Sequence, residues 1–213
     1  VSYSVTIGNI LNFKPIWKNQ QTRAYILAYM CHMWEMFAAR SWLVAFLSFS
    51  ISIQKVKADF MAPTTVMALA GIGGLLASIL GGELAARLER RRVVAAIMGV
   101  SFLMALIIGF SARMPYTLVV TLCMVYTLFF QGDSAAIHTG VITSIEPERR
   151  GGAMALQSLA GFAAASLGSV AAGLILDVTG KGTTVLSWVL TLGSMGIAAA
   201  LGSVLLYRTR FHN

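Results

Sequence analysis

Three side chains that can carry charge lie within one apolar stretch, about residues 24–53: His32, Glu35 and Arg40. On a helix, the spacing of His32 and Glu35 places both on one face, whereas Arg40 lies about 80° round from His32. Charged groups inside a membrane helix are costly and commonly mark ion or substrate pathways. The residue types predict proton transfer or solute binding, with Glu35 the leading titrating group and His32 its neighbour. A structural alternative stays open, in which Glu35 forms a buried ion pair with Arg40 or with a residue of an absent half. The histidine would then only pack, and Arg40 would extend towards water.

A second apolar stretch, about residues 115–145, carries a regular set of polar residues, spaced four, three and four apart: Thr127, Gln131, Ser134 and His138. This spacing predicts one polar helical stripe, which should face water or protein rather than lipid. Asp133 lies on a different face, and we expect it to pair with another helix. The sequence offers no convincing metal-ligand spacing and no nucleophile or nucleotide-binding motif, so we predict no metal, no cofactor and no enzymatic activity.

The composition shows which elements must position these residues. Hydrophobic residues make up 57% of the 213 residues, charged residues only 11%, and the mean hydropathy is +0.77. Soluble domains carry about 25% charged residues, and a membrane helix needs about 20 apolar residues. We therefore predict an all-α membrane protein with residues 1–22 as a leading segment and residues 23–213 as a six-helix bundle. The six predicted spans are about 24–53, 63–86, 93–112, 115–145, 151–176 and 182–207.

The loops between these spans are unequally charged. One side of the membrane would hold eleven basic residues: Lys14, Lys18, Arg23, Arg87, Arg90, Arg91, Arg92, Arg149, Arg150, Arg208 and Arg210. The other side would hold four: Lys55, Lys57, Arg113 and Lys181. Because positive loops stay in the cytoplasm, both termini are predicted to be cytoplasmic, in a multi-pass protein of the inner membrane. The net charge of +8 is then mainly a topology signal, and we predict no nucleic-acid partner.

Small residues recur at helical spacing in the second and fifth spans. The second span contains Gly74, Ser78 and Gly82. The fifth has two such stripes, Gly161, Ala165, Ser169 and Gly173, and Ala160, Ala164, Gly168 and Ala172. Small residues let helices approach closely in lipid, so we predict tight packing along both spans. Trp17 and Trp188 are predicted to anchor the chain at the membrane surfaces.

Two loop sequences resemble those of a known family. The loop from Gly82 to Arg91, GELAARLERR, is similar to the cytoplasmic motif G-x-x-x-D-R-x-G-R-R of the major facilitator superfamily. Gly82, Arg87, Arg90 and Arg91 fit that motif, whereas alanine replaces the aspartate and Glu89 the second glycine. Glu83, four residues before Arg87, is expected to form an ion pair that partly substitutes for the aspartate. Residues 147–153, PERRGGA, resemble the entry to the eleventh helix of this superfamily, and residues 9–22 resemble the linker between its halves.

The resemblance implies that the six spans are the C-terminal half of a twelve-helix transporter. The partners would then be the lipid bilayer, a small polar or anionic solute, protons, and either an N-terminal six-helix half or a second copy. Such transporters work by alternating access around a cavity between the halves, which the first and fourth spans would line. Proton-driven uptake is the leading expectation. Two alternatives stay open: a proton-coupled exporter, and a stand-alone six-helix protein with a structural or receptor-like role.

Overall fold

The computed structural model describes residues 13–56 and 61–209. Its elements are α1 Lys14–Lys18, α2 Gln20–Gln54, α3 Pro63–Arg87, α4 Arg90–Ser111, α5 Tyr116–Gly132, α6 Ser134–Thr143, a 3-10 turn Pro147–Arg149, α7 Arg150–Val178 and α8 Val185–Arg208. Helices α5 and α6 lie in one span, so these residues provide six segments long and apolar enough to cross a membrane. The all-α, six-span prediction is confirmed. Lys57, Arg210 and residues 1–12 of the predicted linker lie outside the described residues.

Helix boundaries follow from caps and prolines. The Asn19 side chain accepts hydrogen bonds from the backbone amides of residues 21 and 22, both at 3.1 Å, so α2 begins at Gln20 rather than near residue 24. Pro63 occupies the first turn of α3, and Pro115 is the N-cap of α5, positions where a missing N–H costs nothing. At about 1.5 Å per residue, the 35 residues of α2 exceed the thickness of the hydrocarbon core, so α2 must tilt or extend beyond it.

The fourth span is not the continuous helix that its polar spacing predicted. Helix α5 ends at Gly132, and α6 begins at Ser134 after Asp133. Glycine and aspartate are both poor helix formers, and their adjacency gives the chain a weak point inside an otherwise apolar span. The stripe is therefore divided, with Thr127 and Gln131 on α5 and the other two members on α6.

Trp188, which the sequence predicts to be an anchor at a membrane surface, does not present its ring to the outside of the bundle. The side chain is buried among helices, with its ring centroid 5.5 Å from that of Phe46. Its indole N–H donates to the carbonyl of Gly182 at 2.9 Å, so the ring satisfies its polar atom internally and does not need interfacial water. Trp17, in contrast, is largely exposed.

Helices pack in pairs, α2 along α7, α3 along α5 and α4 along α8, and α2 also contacts α8. Glycines permit the closest approaches. A Cβ atom at Gly81 of α3 would lie 1.9 Å from the Gly132 carbonyl oxygen on α5, and one at Gly168 of α7 would lie 2.8 Å from the Trp34 carbonyl oxygen on α2. The predicted tight packing of α3 and α7 is thus present. It brings α2 and α5, which carry the candidate residues, into one bundle.

Candidate functional site

Glu35 lies inside the bundle and is only 2% exposed. Its Oε1 atom accepts a hydrogen bond from the Ser101 hydroxyl at 2.8 Å, and another from the Tyr126 hydroxyl at 3.0 Å. These partners come from α4 and α5, so the carboxyl group links three helices. The alternative in which Glu35 holds Arg40 is contradicted, because the two side chains bond to different residues. Sequence reasoning missed both hydroxyl partners, although Ser101 is a polar residue in an otherwise apolar span.

His32 and Asp133 form a second buried contact between α2 and the helix interruption. Nδ1 of His32 lies 2.8 Å from Oδ1 of Asp133, and both side chains are almost fully buried. The expectation that Asp133 pairs with another helix is confirmed. Asp133 is also close enough to Glu35 for their charges to interact. One histidine and two carboxyl groups therefore share a protein-enclosed region.

An aromatic ring connects this region to the other histidine. The Tyr29 ring stacks on His32 with centroids 5.9 Å apart, and it lies 4.8 Å from the His138 ring. On α7, the fully buried Gln157 lies within interaction range of His138. The amide atoms of Gln157 have no hydrogen-bond partner among the described residues. The sequence analysis did not identify Gln157. The available signal was a long polar side chain within the small-residue helix α7.

Arg40 is exposed on the surface of the bundle and turns its charge towards α5. Its Nη2 donates to Oε1 of Gln131 at 2.6 Å. Helical side chains point back towards the helix N-terminus, so the guanidinium lies at the depth of Gln131 rather than nearer the outer surface, as its position in the chain had suggested. Next to it, the Ser41 hydroxyl donates to the Ser169 hydroxyl of α7 at 3.3 Å.

The remaining stripe residues are less clearly directed at a site. Thr127 is buried and donates to the Cys123 carbonyl of its own helix at 2.9 Å, which is a common way to satisfy a membrane threonine. Ser134 is half-buried at the start of α6. Of this stripe, Gln131 contacts Arg40 and His138 contacts Tyr29. Both partners are candidate-site side chains on another helix.

The loop motif between α3 and α4 forms a network of charges. Arg87 donates to Glu83 at 2.8 Å, the expected pair, and both side chains are mostly exposed. Arg91 lies 2.7 Å from Glu89. Arg90 donates to the Thr143 hydroxyl at the end of α6 at 3.0 Å. Glu89, which replaces the motif's second glycine, thus serves as an acidic partner within the loop. A Cβ atom at Gly82 would lie 3.1 Å from the Cβ of Ala135 on α6.

Comparison with known proteins agrees with this architecture. No individual curated protein matches the chain. The sequence profile described as Major Facilitator Superfamily matches residues 25–212, nearly the whole chain and all six spans. The chain therefore belongs to the major facilitator superfamily of membrane transporters.

Proposed function

We propose that this chain is half of a proton-coupled transporter that moves a small, polar and preferably anionic solute across the inner membrane by alternating access. The solute would bind between this six-helix bundle and a second six-helix half, supplied by a longer chain or by a second copy. Both termini would be cytoplasmic, in agreement with the unequal distribution of lysine and arginine between the loops.

Arg40 is the observation that carries the solute proposal. Its guanidinium is exposed on α2 and bonded to the neutral amide of Gln131, and no described carboxylate forms an ion pair with it. A permanently charged group at this depth requires water or a bound anion. Its planar donors suit a carboxylate or phosphate group. The neighbouring hydroxyls of Ser41 and Ser169 add polar contacts for the same solute.

Glu35, His32 and Asp133 support the proton part of the proposal. Coupling to a gradient requires a group that gains a proton on one side and loses it on the other. Glu35 receives hydrogen bonds only from the neutral hydroxyls of Ser101 and Tyr126 in the described structure. Its charge is therefore not compensated by a permanent cation there, and a change in packing between two conformations would change its proton occupancy. Asp133 and His32 offer neighbouring sites for the same proton.

Transport by the assembled protein in proteoliposomes tests the proposal. Labelled succinate, lactate and phosphate, with glucose and choline as neutral and cationic probes, are offered with and without an inward proton gradient. We expect uptake of at least one anion above its concentration outside, with Arg40→Gln reducing it tenfold or more. Arg113→Gln, an exposed loop variant with the same loss of charge, should retain uptake. Gradient-independent uptake, or selective uptake of choline, would contradict the proposal, and reversing the gradient distinguishes import from export.

A further inference from the structure

A polar cavity lies at the end of the bundle that carries the loop motif, and its lining includes none of Glu35, His32 and Asp133. Its volume is about 570 Å³. It is enclosed by the N-terminal part of α2, the start of α4 and the end of α6, and its lining includes Tyr25, Glu89, Arg90, Arg91, Arg92 and Thr143. We call it the arginine cavity. Three guanidinium groups thus face one carboxylate, and the lining carries an excess of positive charge.

The carboxylate is already engaged. Oε1 of Glu89 lies 2.7 Å from Nη2 of Arg91, and Oε2 lies 2.6 Å from Nε of Arg92. Arg90 forms no ion pair with any acidic side chain of the described residues. Its Nη1 atom donates to the neutral Thr143 hydroxyl at 3.0 Å. The charge of Arg90 is therefore not compensated within the described structure.

Arg90 is also partly withdrawn from water. Its Nε atom is buried and has no hydrogen-bond partner in the part of the chain that the structure describes. A buried donor without a partner is costly, more so when it is charged. An anion in the arginine cavity would neutralise the excess charge of the lining. Arg90 is the first residue of α4, a 22-residue helix, so the partial positive charge of the helix N-terminus adds to the same attraction.

We propose that the arginine cavity binds a phosphate group, either free inorganic phosphate or the phosphodiester of an anionic phospholipid headgroup. The guanidinium of Arg90 can donate charge-assisted hydrogen bonds to phosphate oxygens. The volume exceeds that of one phosphate and leaves room for a glycerol headgroup. If this end faces the cytoplasm, it lies at the leaflet whose lipids are anionic. The site is independent of the proposed transport cycle, and either can be wrong without the other.

The test measures the melting temperature of the purified full chain in detergent. Sodium phosphate is titrated against sodium chloride at equal ionic strength, and phosphatidylglycerol is compared with phosphatidylcholine in mixed micelles. We expect a saturable rise with phosphate, with phosphatidylglycerol, or with both. A rise with phosphatidylglycerol alone identifies the lipid headgroup, a rise with phosphate alone identifies the free anion, and mutual competition shows that both enter one site. The absence of a saturable rise with either probe would overturn the proposal.

Variants assign the effect to the arginine cavity. Arg90→Gln should weaken the apparent affinity about tenfold or more, as expected for loss of a charge-assisted contact. Arg149→Gln removes the same charge from the same end, but Arg149 lies outside the cavity and near Glu146, so affinity should be unchanged. Arg90→Lys keeps the charge and serves as the conservative variant if Arg90→Gln does not fold. We expect it to lose affinity to an intermediate degree. Equal weakening by Arg90→Gln and Arg149→Gln would show general charge attraction and overturn the assignment. Full affinity in both Arg90 variants would show that Arg90 does not bind the anion, and it would also overturn the assignment.

Discussion

Nδ1 of His32 lies 2.8 Å from Oδ1 of Asp133, at the point where the fourth span changes from α5 to α6. The contact joins the longest helix of the described residues to the interruption in its neighbour. Aspartate weakens the helix, and its buried side chain then lies against a histidine from another helix. A local weak point of the sequence thus lies at a contact between two helices.

The first prediction concerns the energy of this contact. We expect His32→Ala and Asp133→Ala each to lower the free energy of unfolding by about 1–3 kcal/mol, because each removes the close partner of a buried polar group. The double variant should lose less than the sum, with a coupling energy of about 0.5–3 kcal/mol. Thr139→Ala serves as a control, since this exposed hydroxyl bonds only within α6. Strict additivity in denaturation measurements would mean that the two side chains do not interact.

The second prediction compares two glycines of α3. Gly81→Ala should destabilise the bundle by about 1–3 kcal/mol, because the added methyl group meets the Gly132 carbonyl and forces the helices apart. Gly71 has open space where its Cβ would lie. Gly71→Ala should therefore be neutral or stabilising by about 0.5–1 kcal/mol through helix propensity. Melting temperatures of the two variants give the answer, and equal effects would contradict the close α3–α5 contact.

Sequence reasoning succeeded where the thickness of the hydrocarbon core alone decided which segments are helical. The hydrocarbon core requires long apolar helices, so the number of spans and most of their boundaries could be predicted. It was less accurate where the structure depends on side chains that other helices bring close. The partners of Glu35 come from α4 and α5, and no spacing along α2 reveals them. The charge of Arg40 lies deeper than its Cα position suggested because a long side chain turns back along its helix. Trp188 is of the residue type that commonly anchors helices at membrane surfaces, but its indole N–H donates to a carbonyl inside the protein.

The third prediction concerns topology, which follows from the charges of the loops. In a background with Cys31 and Cys123 replaced by alanine, Arg149→Cys and Lys181→Cys are introduced one at a time. Arg149 precedes α7 and Lys181 follows it, so the two positions should react with an impermeant maleimide from opposite sides of the membrane. Cysteine at residue 149 should react only from the cytoplasm. Labelling of both from outside would refute the orientation.

The fourth prediction separates two roles of Arg87. Its pair with Glu83 is exposed, and such pairs contribute about 0.3–0.5 kcal/mol, so Arg87→Ala should barely change the melting temperature. In this superfamily the loop is expected to hold the two halves together in one conformation. Arg87→Ala in the assembled transporter should therefore increase the accessibility of the central cavity to a thiol reagent. Arg92→Ala, another exposed arginine of the same loop, is the comparison. Unchanged accessibility in Arg87→Ala would remove this loop from the conformational mechanism.

The fifth prediction concerns coupling by Glu35. Glu35→Gln keeps the size and the acceptor oxygen for Ser101 and Tyr126 but cannot bind and release a proton. We expect gradient-driven accumulation in proteoliposomes to fall at least tenfold, while exchange of labelled for unlabelled solute continues. Tyr126→Phe is the matched control, because it removes one hydrogen bond to Glu35 and keeps the carboxyl group. That variant should lose stability, by about 1 kcal/mol, yet retain accumulation. A purely structural role of Glu35 predicts a different result. Both variants would then have lower melting temperatures, and their transport would be proportional to the amount of folded protein. Undiminished uphill transport by Glu35→Gln, with an unchanged pH dependence, would exclude Glu35 as the coupling group and leave Asp133 and His32 as the next residues to substitute.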